Sequence, residues 1–187
     1  VSYKTKPTME VFFSEWHSLY ESKSGERGIF NRQAAHKQAA KNGRRKLETK
    51  NNKPIEWGTN PCSEIILRPY QFCNLSEVVV RATDTLETLK TKVRHATILG
   101  TFQSCMTDFK YLRSIWKTNT QEERLLGVSL TGIMDHNILN GSEGLAKTNR
   151  WLTELKQVAI DTNAEIAFEM GIQQSAAITC VKPSGTV

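Results

Sequence analysis

The second half of the chain alternates long helical patterns with short apolar runs, and this alternation limits its possible folds more than any other feature. After Asp84, the residues Ile98, Phe102, Cys105, Phe109 and Leu112 recur at spacings of four, three, four and three, the repeat of one helix face. Asp84 with Glu87 three residues later resembles a capping box and marks the expected helix start. Leu125 to Met134 is apolar and broken by Gly127 and Gly132, as in a buried strand that leaves into a loop. Gly144 to Met170 is a second helical pattern, with Trp151, Leu155, Val158, Ile166 and Met170 inward and Gly171 as its stop. Ala176 to Val181 reads as a further short strand. Long helices between short buried strands predict an α/β fold with parallel pairing.

The first half is less regular. Pro7 to Ser22 reads as a helix with Val11, Phe12, Trp16 and Leu19 on one face, and the turn Ser24 to Gly28 follows it. Residues 31–53 are polar and basic and are expected to be partly irregular. Ile55 to Gly58 is expected as a short strand. Thr59-Asn60-Pro61 then reads as a turn, because a proline drives the residue before it out of the helical region. Pro69 interrupts the apolar run Ile65-Ile66-Leu67, and Val78-Val79-Val80 is strand-like. Cys105 falls on the apolar helix stripe, where a thiol is expected to act as a small core hydrophobe.

Composition removes several classes. The 187 residues suit one domain or a large piece of one. The chain starts without methionine, and Lys182 to Val187 stops in a turn-like segment, so residues 1–187 are expected to be a fragment truncated at both ends. No apolar run approaches the roughly 18 residues of a membrane span, and no signal peptide opens the chain. The net charge of +6 favours anionic ligands without naming one. Lys41, Arg44, Arg45, Lys46 and Lys50 cluster against Glu48 alone. This cluster reads either as a solvated polar loop or as a contact for phosphates or nucleic acid, and no aromatic residue is interleaved to support single-strand binding. Four cysteines, none in a Cys-x-x-Cys pair, are too few for a secreted disulfide scaffold, so a reducing, cytoplasmic setting is expected.

The chemistry concentrates in Asn60-Pro61-Cys62-Ser63-Glu64 and, shortly after, Phe72-Cys73-Asn74-Leu75. A cysteine after Asn-Pro sits on a turn and can present its sulfur to a ligand. Glu64, two residues on, could reach the same ligand and move a proton beside the sulfur chemistry. Cys73 adds a second sulfur. Cys62 and Cys73 could instead ligate a metal, but no further ligands stand at zinc-like spacing, and no metal site is expected. Cys62 could also be a nucleophile beside a histidine. His17, His36, His95 and His136 stand in no telling arrangement with it, and spacing alone does not choose further.

Asn60-Pro61-Cys62-Ser63-Glu64-Ile65 resembles the active-site finger loop of ribonucleotide reductases, in which Asn-x-Cys-x-Glu recurs. Phe72-Cys73-Asn74-Leu75 resembles that family's redox cysteine segment. Gly127 to Gly132 resembles its glycine-containing strand. Lys182-Pro183-Ser184-Gly185-Thr186 resembles its substrate-phosphate loop, and Gly25 to Arg32 resembles a segment upstream of the finger loop. The matches follow the family's order along nearly the whole chain. Ser63 stands where glycine is common. The short gap from Cys62 to Cys73 is more like the monomeric, adenosylcobalamin-dependent branch, which reduces ribonucleoside triphosphates, than the dimetal-dependent diphosphate branch. A non-catalytic basic module that binds nucleic acid is a further alternative.

The resemblance implies part of a ten-stranded α/β barrel with a central finger loop. It implies a thiyl radical on Cys62 that takes the ribose 3′ hydrogen, Glu64 as the base for the 3′ hydroxyl and the Asn60 amide as a hydrogen-bonding partner of the ribose hydroxyls. Cys73 would donate reducing equivalents with a partner cysteine upstream of residue 1, and Cys105 and Cys180 receive no such role. Pro183, Ser184, Gly185 and Thr186 would hold the substrate phosphate, where a following helix would aim free N–H groups. A ribonucleotide substrate, thioredoxin or a similar dithiol and a nucleotide effector are the implied partners, with no membrane.

Overall fold

In the computed structural model, which describes residues 6–24, 28–41, 44–49 and 51–183, the chain divides between Asn31 and Arg32 into two units. The first contains one helix, α1 (Met9–Ser22), as its apolar pattern predicts. Thr8 caps it by accepting from the Val11 N–H at 3.4 Å, and Lys23 ends it in the left-handed region. Phe12 and Trp16 stack with ring centroids 6.2 Å apart.

The second unit is built on parallel strands. β3 (Asn74–Val79) pairs with β4 (Leu126–Thr131) in parallel, from Asn74 opposite Leu126 to Val79 opposite Thr131. Helix α3 (Leu86–Gln103) lies between them in sequence, the crossover that a parallel pair requires. The expected strand at Ala176 to Val181 is an extended stretch with one parallel bridge, Thr179 to Val128. The Val128 N–H donates to Ile178 O at 2.8 Å, and the Cys180 N–H to Val128 O at 3.1 Å. Helix α5 (Leu145–Glu169) covers the same side of the sheet as α3. Val78, Val80 and Val128 meet Leu89, Val93, Ala96, Trp151, Leu155 and Ala159 there. Asn163 ties this layer to the start of the last stretch. Its amide donates to Thr101 Oγ1 at 3.0 Å and Ser175 Oγ at 3.1 Å, and its oxygen accepts from the Ser175 N–H at 2.8 Å.

Several local expectations change. α3 stops at Gln103 and buries Leu89, Val93, Ala96, Thr97, Gly100 and Thr101. Phe102 is 50% exposed, and Cys105 lies in the following turn, half-buried. The buried face includes threonines that a count of apolar residues passes over. Thr97 and Thr101 satisfy their hydroxyls inside the helix, each donating at 2.8 Å to the carbonyl four residues back, which makes them usable core residues. The capping box is Thr85 with Thr88, not Asp84 with Glu87. Asp84 instead accepts from the Arg81 N–H at 2.7 Å and pairs with Lys92 at 2.6 Å. The irregular segment holds a helix, α2 (Arg32–Lys41), whose Ala35 and Ala39 bury against Trp57. A further helix, α4 (Ser114–Glu123), lies beyond the stripe that the sequence carries to Leu112. The strand expected at Ile55 to Gly58 is β1 (Gly58–Thr59), which pairs antiparallel with β2 (Ile66–Leu67). The described residues form no closed barrel.

Candidate active site

β1 and β2 are the two arms of a hairpin whose loop is the Asn60 to Ile65 motif. Asn60 organises it. Its N–H donates to Ile65 O at 3.2 Å, its side-chain oxygen accepts from the Ile65 N–H at 3.0 Å, and its carbonyl accepts from the Ser63 N–H at 3.0 Å. Ser63 turns the chain with a φ of 66°, in the left-handed region that glycine adopts without penalty. Pro61 and Cys62 form the exposed tip, as the turn reading requires.

Glu64 turns the other way. Both its carboxylate oxygens are buried, and neither has a hydrogen-bond partner. A buried carboxylate without a donor is costly, and such groups are normally satisfied. Beside it, Ile65 packs with Leu125 and Ala176, joined by Leu67, Cys73, Leu75 and Cys180. In the parallel register, Leu75 and Gly127 share the sheet face opposite the helices, and Cys73 precedes Leu75 by the two-residue strand repeat. Cys180 reaches the same place. A methyl on Gly127 would overlap the Leu75 side chain and lie 3.0 Å from Ile65 Cδ1 and 3.1 Å from Cys180 Sγ.

Electrostatics groups the same residues. Burial pushes the Cys73 thiol up, and the nearby Glu64 charge pushes it further. Cys180 is pushed up to about 11, by burial first and then by Glu64 and Cys73. The structure therefore brings Glu64, Cys73 and Cys180 together, with both thiols held protonated. Cys62 stands apart at the tip, and no hydrogen bond or ion pair among the described residues joins it to Glu64 or Cys73. Cys180 had received no role in the sequence reading. Its position follows from strand alternation across a non-adjacent strand, a register that a single sequence does not reveal.

The other candidates sort quickly. Pro183 is exposed, while Ser184, Gly185 and Thr186 lie outside the described residues, as do residues 25–27 of the upstream motif. At the described centre of the basic cluster, Arg44 and Lys46 stay exposed, as a solvated polar loop would have them, while Arg45 is buried. Arg44 donates to Gln174 O and Ser175 O, Arg45 pairs with Glu123 at 2.9 Å, and Lys46 pairs with Glu122 at 2.7 Å. His136 is a buried scaffold residue, its Nδ1 accepting from the Ile138 and Leu139 N–H groups. Among the described residues, no group of three His, Cys, Asp or Glu could hold a metal, and no helix is long and apolar enough to cross a membrane.

Comparison with known proteins fits this arrangement. The family described as the barrel domain of ribonucleotide reductase matches residues 20–176. The chain is 29% identical over 193 aligned residues to the adenosylcobalamin-dependent ribonucleoside-triphosphate reductase of Lacticaseibacillus paracasei, covering 91% of this chain and 25% of that protein. It is 30% identical to the enzyme of the same name from Lactobacillus acidophilus, over 70% of this chain and 20% of the relative. The namesake in Euglena gracilis is also 30% identical, over 70% of this chain and 17% of its own length. The chain thus spans a quarter or less of the length of these relatives. With the barrel-domain family matching residues 20–176, most of its length, this chain belongs to the ribonucleotide reductase barrel-domain family.

Proposed function

We propose that this chain forms part of the catalytic barrel of an adenosylcobalamin-dependent reductase that converts ribonucleoside triphosphates to deoxyribonucleotides, with Cys62 as its radical-bearing thiol. The observation that carries the reading is the split geometry of one short motif. Cys62 is offered at an exposed tip, while the carboxylate oxygens of Glu64, two residues away, are buried and unpartnered beside Cys73. A ribose seated under the tip would meet a thiol from one side and an acceptor from the other.

In this reading the Cys62 thiyl takes the 3′ hydrogen atom of the ribose. Glu64 accepts the 3′ hydroxyl proton as the 2′ hydroxyl leaves as water, and the ligand hydroxyl supplies the donor that its buried oxygens lack. Asn60 keeps its side-chain oxygen on the loop backbone and offers its amide nitrogen to the ribose hydroxyls. Cys73 and a partner thiol give up two hydrogens, and their sulfurs join in a disulfide, which balances the two-electron reduction. The raised pKa of Cys73 suits that step, since the thiol carries the hydrogen that is donated. Adenosylcobalamin supplies the initiating radical chemistry when bound, and the exposure of Pro61 and Cys62 at the hairpin tip fits its approach. The remaining assignments go with this reading: residues 1–187 as one piece of a ten-stranded barrel, Pro183 to Thr186 as the phosphate loop, thioredoxin or a similar dithiol as reductant, a nucleotide effector, and a reducing cytoplasm in which the four free thiols persist.

The test is Cys62→Ser in the full-length protein. It should fold and bind nucleotide as before and form no deoxynucleotide, because a serine O–H bond is too strong to enter the radical cycle. Deoxynucleotide formation at the parent rate would reject the assignment.

A further inference from the structure

We propose that the buried ion pair Arg45–Glu123 is a clamp on both feet of the Cys62 hairpin, and that it sets the placement of Cys73 relative to Cys62. Neither residue reaches the hairpin tip, so the role is positioning rather than catalytic. The functional part of the inference rests on the reading of Cys62 and Cys73 given above.

The clamp is visible bond by bond. Arg45 is 7% exposed and Glu123 2% exposed. The guanidinium donates through Nε to Glu123 Oε1 at 3.3 Å and through Nη2 to Oε2 at 2.9 Å. The same guanidinium lies over the Trp57 ring, 4.6 Å from its centroid, and Trp57 immediately precedes β1. That is the first foot. On the second, Gln71 Nε2 donates to Glu123 Oε2 at 2.6 Å, while Gln71 Oε1 accepts from the Arg68 N–H at 3.1 Å. Arg68 follows β2, and Gln71 stands two residues before Cys73. The Phe72 N–H then donates to Thr120 Oγ1 at 3.4 Å, which carries the hold to the neighbour of Cys73. One carboxylate on the last turn of α4 thus fixes where the hairpin begins, through Arg45 and Trp57, and where it returns, through Gln71.

Energetics supports a geometric purpose. A buried pair gains little over a well-packed apolar pair, because desolvation offsets the attraction. What it adds is direction: a bidentate guanidinium and a shared carboxylate fix angles that apolar side chains leave free. Radical transfer and disulfide chemistry are sensitive to such angles, and a misplacement of about 1 Å can cost roughly a hundredfold in rate.

The test uses the full-length protein in three forms: the parent, Glu123→Gln, and the double variant Arg45→Met with Glu123→Met. Glu123→Gln leaves Arg45 buried and unpaired and should lower both the melting temperature and kcat. The double variant removes both charges and should recover the melting temperature. If the pair positions the hairpin, kcat in the double variant should stay about tenfold or more below the parent, with nucleotide KM within about twofold. Maleimide labelling of half-buried Cys73 should also quicken several-fold, against exposed Cys62 as the reference in the same chain. Recovery of kcat together with the melting temperature would overturn the proposal, and so would unchanged Cys73 labelling in the double variant. A parent without reductase activity would reject the functional reading instead, and Cys73 labelling would still decide the clamp.

Discussion

Gly127 shows how much one missing methyl carries. The two sheet faces differ: one meets helices, while the other must admit Leu75, Ile65 and Cys180 at a single point. Gly127→Ala should therefore destabilise the full-length protein by about 1–3 kcal/mol, since overpacking forces neighbours off their preferred positions. Chemical denaturation measures this, and a variant as stable as the parent would show that Leu75 has room to move. Cys180 makes a second prediction. Its folded pKa of about 11 lies above the reference value of 9.0, so folding favours the thiol. The contribution is complete below pH 9 and is lost as pH rises toward 11. Replacing Cys180 with alanine should flatten the fall in melting temperature across that window, and an equally steep fall would show that Cys180 stays protonated or is already solvated. At this scale the sequence was readable where local chemistry dictates geometry. Asn60 and Pro61 announce a turn, and the turn exposes Cys62. It was not readable where position depends on a neighbour distant in the chain, as for Cys180 beside Glu64, or Glu123 beside Arg45.

Among elements, α3 separates what periodicity can and cannot tell. Its existence follows from a sustained helical repeat, yet it stops at Gln103 rather than running on to Leu112, and its buried face is rotated from the one the large apolar residues suggest. Leu99 and Phe102 are exposed, while Thr97 and Thr101 are buried with their hydroxyls turned onto the helix backbone. Hydrophobicity ranks threonine as polar, but a threonine that bonds its own helix is nearly as buriable as valine in shape. The start of the helix was misplaced by one residue for a related reason. Asp84 and Thr85 are both good caps, and Asp84 is taken by Lys92 and the Arg81 N–H, leaving Thr85 to cap. Thr85→Ala should thus cost about 1 kcal/mol, read from urea denaturation of the full-length protein. An unchanged midpoint would mean that Asp84 can take over the cap. Parallel pairing, by contrast, was legible in advance, because apolar runs separated by long helical stretches leave few other ways to bury them; that the β3–β4 crossover also holds α4 was not.

For the whole molecule, the alternation of strand and helix revealed the class but not the closure. Three parallel stretches, β3, β4 and Ala176 to Cys180, lie side by side with helices on one face. The opposite face carries Cys73, Leu75, Gly127 and Cys180 and is met by residues of the hairpin, Ile65 and Leu67. Elsewhere large apolar side chains meet solvent: Met106 is 75% exposed, Leu99 67%, Leu145 74% and Phe168 87%. In the proposed reading the rest of the barrel would cover such side chains, and the relatives are at least four times as long as the matched region. Residues 1–187 expressed alone should therefore bind a hydrophobic dye and self-associate at micromolar concentration, with a broad thermal transition. Among the described residues β3 pairs with β4 alone, and such an edge adds to that tendency. Catalysis should be lost separately. Each turnover consumes two thiols, and in the proposed reading the partner of Cys73 is not among the four cysteines here. Size-exclusion chromatography, dye fluorescence and a reductase assay with adenosylcobalamin and a dithiol distinguish the two failures. A monomeric, dye-silent chain with a sharp melt would mean that these faces are tolerated in water. Ribonucleotide reduction by that chain would mean that Cys73 finds its partner within it, and Cys180, which packs in the same cluster as Cys73, would be the first thiol to replace.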